Sequence, residues 1–138
     1  MNCIILRFFN IYGVGQSNEY AGVITKFLKK ITQNKSLEIF GDGLQTRDFV
    51  SVHDVINSIN NAISVDKSGT YNIASGNAVT IKELAEMIIS LSGKKFEILY
   101  VNQKKGDIRN NQADISLAKN NLRYEPKIKL IEGIRQLL

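Results

Sequence analysis

Cys3-Ile4-Ile5-Leu6-Arg7-Phe8-Phe9 is an apolar run broken only by Arg7, and it lies almost at the start of the chain. A near-continuous run of this kind, without alternation, is the pattern of a strand covered on both faces, as in a parallel sheet with helices on either side. It therefore predicts an α/β fold. Such a strand has neighbours on both sides. With only Met1 and Asn2 ahead of it, the sheet that should precede it is expected to be missing from this chain.

Working outward, Gly13-Val14-Gly15 breaks the chain into a loop. From Tyr20 to about Gln33, Val23, Ile24, Phe27, Leu28 and Ile31 fall on one helical face, with Lys26, Lys29 and Lys30 off it. Leu37 to Phe40 is a short strand, Gly41-Asp42-Gly43 a turn, and Phe49-Val50 is extended. Ser51 and Asp54 have the spacing of a capping box for a helix to about Ser64 that should bury Val55, Ile56, Ile59 and Ile63. Thr70 to Ala74 is a second short strand. Thr80 with Glu83 caps a helix bearing Ile81, Leu84, Ala85, Ile88 and Leu91 and ending at Gly93. Phe96 to Val101 looks extended, Asp114 caps a short helix, and Ile131 to Leu138 patterns as a last one. Helices between strands again indicate α/β, in one region spanning 1–138.

The bulk composition narrows the class. At 43% hydrophobic and 22% charged, the 138 residues can build an ordinary core. The net charge of +5 is dispersed and has no nucleic-acid motif beside it, so a solvated basic surface is expected and nucleic acid is not. A single cysteine, Cys3, offers neither an internal disulfide nor a metal cluster, which fits a reducing cytoplasm. No apolar stretch reaches spanning length.

Three loops carry groups suited to an anionic, nucleotide-like ligand. Asn10 follows the opening strand, where parallel α/β sheets bind ligands, although an Asn there can equally bond its own turn. The stretch from Ile39 to Phe49 (IFGDGLQTRDF) offers Phe40 as a wall for a base and Arg47 as a phosphate donor; the plainer alternative is a surface pair of Arg47 with Asp48. Lys104-Lys105-Gly106-Asp107-Ile108-Arg109 sets three cations and a carboxylate around a glycine, or is simply a solvated basic loop. Two apparent motifs fail. Gly13-Val14-Gly15 lacks the third glycine of a dinucleotide turn, with Asn at 18. Tyr100 and Lys104 have Tyr-x-x-x-Lys spacing, but on an extended segment rather than one face of a helix.

The ordered set RFFNIYG, IFGDGLQTRDFVSVHDV, TYNIASG, KKGDIR and ADISLAKNNLRYEPKIKLIEGI resembles the carboxyl-terminal part of extended short-chain dehydrogenases/reductases. It is most similar to the UDP-glucose 4-epimerase group of NAD-dependent epimerases and dehydratases. The resemblance implies the substrate-binding part of such an enzyme, with a remnant of the parallel Rossmann sheet near 3–9 and 70–74 and without the amino-terminal NAD-binding domain. It implies that Asn10 contacts diphosphate or sugar and Phe40 borders uracil. Arg47, Lys104 and Arg109 would meet the diphosphate, Asp107 the ribose, and Phe8 would lie near the nicotinamide of NAD. Lys104 stands where the family has Arg, which keeps charge but loses bidentate geometry. Val14 and Thr25 stand where the family has Pro, and Gly22 where some epimerases have Asn. The family's catalytic Ser/Thr and helical Tyr-x-x-x-Lys belong upstream. A UDP-sugar is thus the expected partner, with no NAD binding and no turnover by this chain alone. Self-association through the first strand, or joining of an NAD-binding half, is a further expectation. The alternatives are a fragment of a dehydratase and a non-catalytic sugar-nucleotide or partner-binding module.

Overall fold

The computed structural model describes residues 2–17 and 22–138. Met1, the expected helix start at Tyr20 and the Asn at 18 lie outside the described residues. The elements are β1 (Ile4–Phe8), β2 (Asn10–Tyr12), α1 (Val23–Thr32), β3 (Leu37–Phe40), β4 (Thr46–Ser51) and α2 (Val52–Ile63). They continue with β5 (Gly69–Ile73), β6 (Ala78–Thr80), α3 (Ile81–Ser92), β7 (Ile98–Val101), α4 (Ser116–Leu122) and α5 (Leu130–Arg135).

This is the expected α/β arrangement. β1 and β5 pair in parallel, with Ile4 opposite Gly69 and Phe8 opposite Ile73. They are the two strands read from residues 3–9 and 70–74. β2 runs parallel to β4, which pairs antiparallel with β6 on its other side. β3 and β7 form a separate parallel pair. β4 divides the interior because strand side chains alternate. Phe49 joins Tyr12, Phe27, Leu37, Ile39 and Leu84 in one apolar core, while Val50 joins Tyr71, Ile73, Leu122 and Tyr124 in the other.

α3 is built as its sequence requires. Thr80 Oγ1 accepts from Glu83 N, and Glu83 returns a bond to Thr80 N, which satisfies two amide donors at the helix start. These bonds hold the Glu83 carboxyl below its ordinary range, the Thr80 backbone N–H being the largest cause. Gly93 closes the helix with φ 67°, a left-handed position that glycine adopts without strain. Between the caps, Ile81, Leu84, Ala85 and Ile88 are buried.

Two burial patterns differ from what apolar patterning alone would give. β1 is apolar yet not enclosed: among the described residues β5 is its one strand neighbour, and Ile5 is 53% and Phe8 42% exposed. Cys3, in the same run, is a free, exposed thiol. In α2, Val55 is buried as expected, but Ile56, Ile59 and Ile63 face solvent. The inward face is instead Asp54, Val55 and Ser58. The reason is chemical. Ser51 caps the helix by accepting from His53 N, while Asp54 turns inward and accepts from Lys127 N and Ile128 N at 3.0 and 3.1 Å. A buried carboxylate with two backbone donors orients the helix in place of the isoleucine stripe.

α5 packs on β2 through a glycine. A Cβ at Gly133 would lie 2.2 Å from the Tyr12 hydroxyl oxygen and 2.6 Å from Cε2. Tyr12 is buried, which pushes its hydroxyl pKa up to about 12, with Asp54 and Glu132 adding smaller contributions. Alanine gains about 1 kcal/mol over glycine in a helix, while overpacking a rigid core costs about 1–3 kcal/mol. At 2.2 Å the clash dominates, so Gly133→Ala is expected to lower the melting midpoint in scanning calorimetry. An unchanged or higher midpoint would mean that α5 slides freely on Tyr12.

Candidate functional site

The carboxyl end of β1 runs through Phe9 into β2, and there the chain borders a cleft of about 690 Å³. Its walls come from β2, α1, β3, β4 and the loop after β7. Asn10, Phe40, Arg47, Lys104 and Asp107 all line it, although they lie up to 97 positions apart in sequence (107 − 10).

A buried carboxylate anchors the strand that carries Arg47. Asp48 is fully buried on β4, and its Oδ1 accepts from Ser75 N and Ser75 Oγ at 2.8 and 2.7 Å. Its Oδ2 accepts from Gly76 N and Ala113 N at 3.0 and 3.2 Å. Asp48 thus ties β4 to the β5–β6 turn and to the segment before α4, and it makes no surface pair with Arg47. Its backbone carbonyl accepts from Asn10 Nδ2 at 2.8 Å, and Asn111 Oδ1 accepts from the same nitrogen at 3.0 Å. Asn10 therefore bonds neighbouring segments and not its own turn. Both amide N–H groups are committed, which leaves Oδ1 as the side chain's available acceptor.

On the opposite face of β4, Arg47 is oriented by three acceptors. Nη1 donates to Thr46 O at 2.7 Å and to Ile108 O at 2.6 Å, and Nη2 donates to Asp107 Oδ1. The Arg47 and Asp107 side chains are 17% and 24% exposed, so the pair is partly sheltered. Among the described residues, Arg47 Nε has no partner. Arg47 therefore keeps donor capacity while its guanidinium is fixed in place.

Lys104 Nζ sits 4.1 Å from the centroid of the Phe40 ring. Phe40 is positioned by β3 and by Gln45, whose Nε2 donates to the Phe40 carbonyl at 2.7 Å. That bond settles which way the Gln45 amide points; Oε1 faces away, buried and without a partner among the described residues. Gly43, at φ 76°, lets the chain turn from β3 into β4, and a Cβ there would press on Ile39 and Lys82 at 3.2 Å.

Arg109 is elsewhere. It does not line the cleft, and Nη1 donates to Asp42 Oδ1 at 2.6 Å. This bond, with Leu44 N, holds the Asp42 carboxyl below its ordinary range, Arg109 being the larger cause. Phe8 is also outside the cleft lining, half-exposed at the end of β1. Tyr100 lies on β7 and Lys104 beyond its end, so the two share no helix.

The sequence pattern missed part of the wall. Lys26, Lys29 and Lys30, read as solvent-facing, line the cleft, as do Glu38, Gln45 and Phe49. The lysines lie beside the apolar stripe of α1, and helical periodicity alone does not say what the next element places opposite them. Phe49 and Gln45 sit inside the quoted IFGDGLQTRDF stretch, and their proximity to Phe40 and Arg47 was the available signal. Among the described residues no His/Cys/Asp/Glu group could hold a metal ion, and no helix is long and apolar enough to cross a membrane.

Comparison with known proteins follows the same architecture. A family model described as GDP-mannose 4,6 dehydratase matches residues 1–137. A UDP-glucuronate 4-epimerase of Thermodesulfobacterium geofontis is 33% identical over 96% of this chain and 41% of its own length. The UDP-glucose 4-epimerase of Thermotoga maritima, solved with UDP-glucose, superposes with a TM-score of 0.92 at 33% identity, covering 96% of this chain and 43% of that one. A UDP-glucuronic acid 4-epimerase of Bacillus cereus, solved with UDP-glucuronic acid and NAD, gives 0.87 at 31% identity over 98% and 46%. The chain thus spans less than half the length of each of these relatives. By the match along 1–137 and by its fold, the chain belongs to the GDP-mannose 4,6 dehydratase family, among the NAD-dependent nucleotide-sugar epimerases and dehydratases.

Proposed function

We propose that this chain forms the substrate grip of an NAD-dependent nucleotide-sugar epimerase of the UDP-glucose 4-epimerase type. The observation that carries the reading is the convergence of Arg47, Lys104, Asp107, Phe40 and Asn10 on one cleft large enough for a nucleotide sugar. Arg47 and Lys104 supply positive charge for a diphosphate. Asp107, an acceptor, suits ribose hydroxyls. Asn10 presents an acceptor once its N–H groups are committed, so it suits a sugar hydroxyl better than a phosphate oxygen. Phe40 offers an aromatic edge to the base, and Lys104 leaves that ring for the diphosphate when the ligand enters. Arg109 acts indirectly, tying the 104–109 loop to Asp42.

These roles bind, orient and neutralise. They hold the sugar at a fixed place relative to whatever reacts with it, and that positioning is a large share of catalysis. The residues present do not fit NAD. Among the described residues Gly13 to Gly15 opens no helix, α1 being given from Val23, and Phe8 is the single cofactor neighbour the family resemblance offers. The hydride chemistry that NAD supplies to the family is therefore assigned to other residues.

The reading is tested by calorimetric titration with UDP and with uridine. UDP is expected to bind more than about tenfold tighter, since the charge-assisted bonds to the diphosphate are worth about 1.5–3 kcal/mol each. Equal affinity for the two would show that the cations of the cleft do not hold a diphosphate, and the proposal would fall.

A further inference from the structure

Five cations and two carboxylates line the cleft, a surplus of three positive charges. Both carboxylates are already paired, Glu38 with Lys30 at 2.6 Å and Asp107 with Arg47. Lys26, Lys29 and Lys104 are left, and none of them has a carboxylate partner among the described residues. Lys104 lies over Phe40 and belongs to the grip described above. Lys26 and Lys29 stand apart from it on α1, and no role has fallen to them.

The apolar face of α1 sets where they point. Ile24, Phe27 and Ile31 are buried, which fixes the rotation of the helix. Positions 26, 29, 30 and 33, three and four apart, then share the face turned from that core. Lys26, Lys29, Lys30 and Gln33 all line the cleft. Lys26 and Lys29 are exposed, whereas Lys30 is half-buried and neutralised by Glu38. Exposure decides what the two free lysines can do. A solvated charge adds little to affinity at contact, because water screens it and holding a long side chain costs entropy. Its field still reaches out by a Debye length, and at the mouth of a cleft it raises the rate at which opposite charge arrives.

We infer that Lys26 and Lys29 are a capture site, drawing an anionic nucleotide into the cleft without holding it once bound. This rests on the diphosphate grip proposed above and adds a division of labour to it. Arg47 and Lys104 set how long the ligand stays; Lys26 and Lys29 set how often it arrives. Rim charges of this kind act on association and on its salt dependence, while contacts inside a site act on dissociation.

Phosphorus NMR line shapes recorded through a titration with UDP give both rate constants on the full chain. The double variant Lys26→Gln, Lys29→Gln is expected to slow association about tenfold at an ionic strength of about 0.01 M, where the Debye length is about 30 Å. At about 1 M, where it is about 3 Å, the variant and the unaltered chain should converge. Dissociation should change by less than about twofold throughout. Lys119→Gln with Lys127→Gln is the control: it removes the same net charge from exposed residues outside the cleft lining, and should slow association less than about twofold. If both double variants slow association alike, net charge does the steering and the inference is overturned. Unchanged association in the Lys26, Lys29 variant would overturn it as well, and faster dissociation there would make the two lysines contacts of the bound ligand. Each of these results leaves the diphosphate grip intact. If UDP does not bind the unaltered chain, the grip itself is absent and the capture site falls with it.

Discussion

Asp48→Ala is expected to be the most damaging single substitution in the cleft wall, lowering stability by more than about 3 kcal/mol. The carboxylate is fully buried and accepts four bonds, from Ser75 N, Ser75 Oγ, Gly76 N and Ala113 N. Its removal leaves three backbone N–H groups without their acceptor around a fully buried position, and each such unsatisfied donor costs about 1–3 kcal/mol. It also empties the point where β4, the β5–β6 turn and the segment before α4 meet. The urea midpoint should fall steeply. Asp42→Ala is the control, because Asp42 sits exposed in a turn and should leave the midpoint close to that of the unaltered chain. If the two variants melted alike, Asp48 would be no more than another surface acid.

The second large effect is expected at Arg47. Arg47→Ala should weaken UDP binding by about a hundredfold or more, the loss of two charge-assisted bonds of about 1.5–3 kcal/mol each. Arg47→Lys should recover only a fraction. An ammonium retains the charge, but it cannot bond Thr46 O, Ile108 O and Asp107 as a planar fork while still offering donors to a ligand. Melting curves recorded beside the titrations separate lost binding from lost fold, since the Arg47–Asp107 pair is partly sheltered and its loss carries some cost of its own. UDP affinity unchanged in Arg47→Ala would remove Arg47 from the site.

Arg47 and Asp48 mark the limit of what local sequence carries. The RDF triplet offers Arg47 as a ligand donor, and Arg47 lines the cleft. The same triplet suggested Asp48 as its surface partner, and there the reading fails. Consecutive strand residues point to opposite faces, so Arg47 and Asp48 cannot both face the cleft. Asp48 goes inward, and its donors come from positions 75, 76 and 113, which nothing local identifies. Asp54 is similar. Its spacing from Ser51 suggested a helix cap, but the backbone N–H groups of Lys127 and Ile128 outcompete that local bond. Arg109, placed with the diphosphate cations by resemblance, pairs with Asp42 across 67 positions and stays outside the cleft.

The sequence by itself determined the helices, the longer strands, their order and the α/β class, but not the three-residue strands β2 and β6. Apolar periodicity, caps such as Thr80–Glu83 and turns such as Gly41 to Gly43 act over a few residues, so they are written locally. It also determined the family, through the ordered motifs from RFFN to KKGDIR. Only the tertiary structure decided what each polar group does. It set Lys30 against Glu38 on the cleft wall, spent the Asn10 amide on β4, exposed Ile5 and Ile63, and buried Asp48. The physical reason is that a buried charge or donor must find its partner in three dimensions. The partner that satisfies it is set by how strands and loops converge, and by nothing in the few residues on either side.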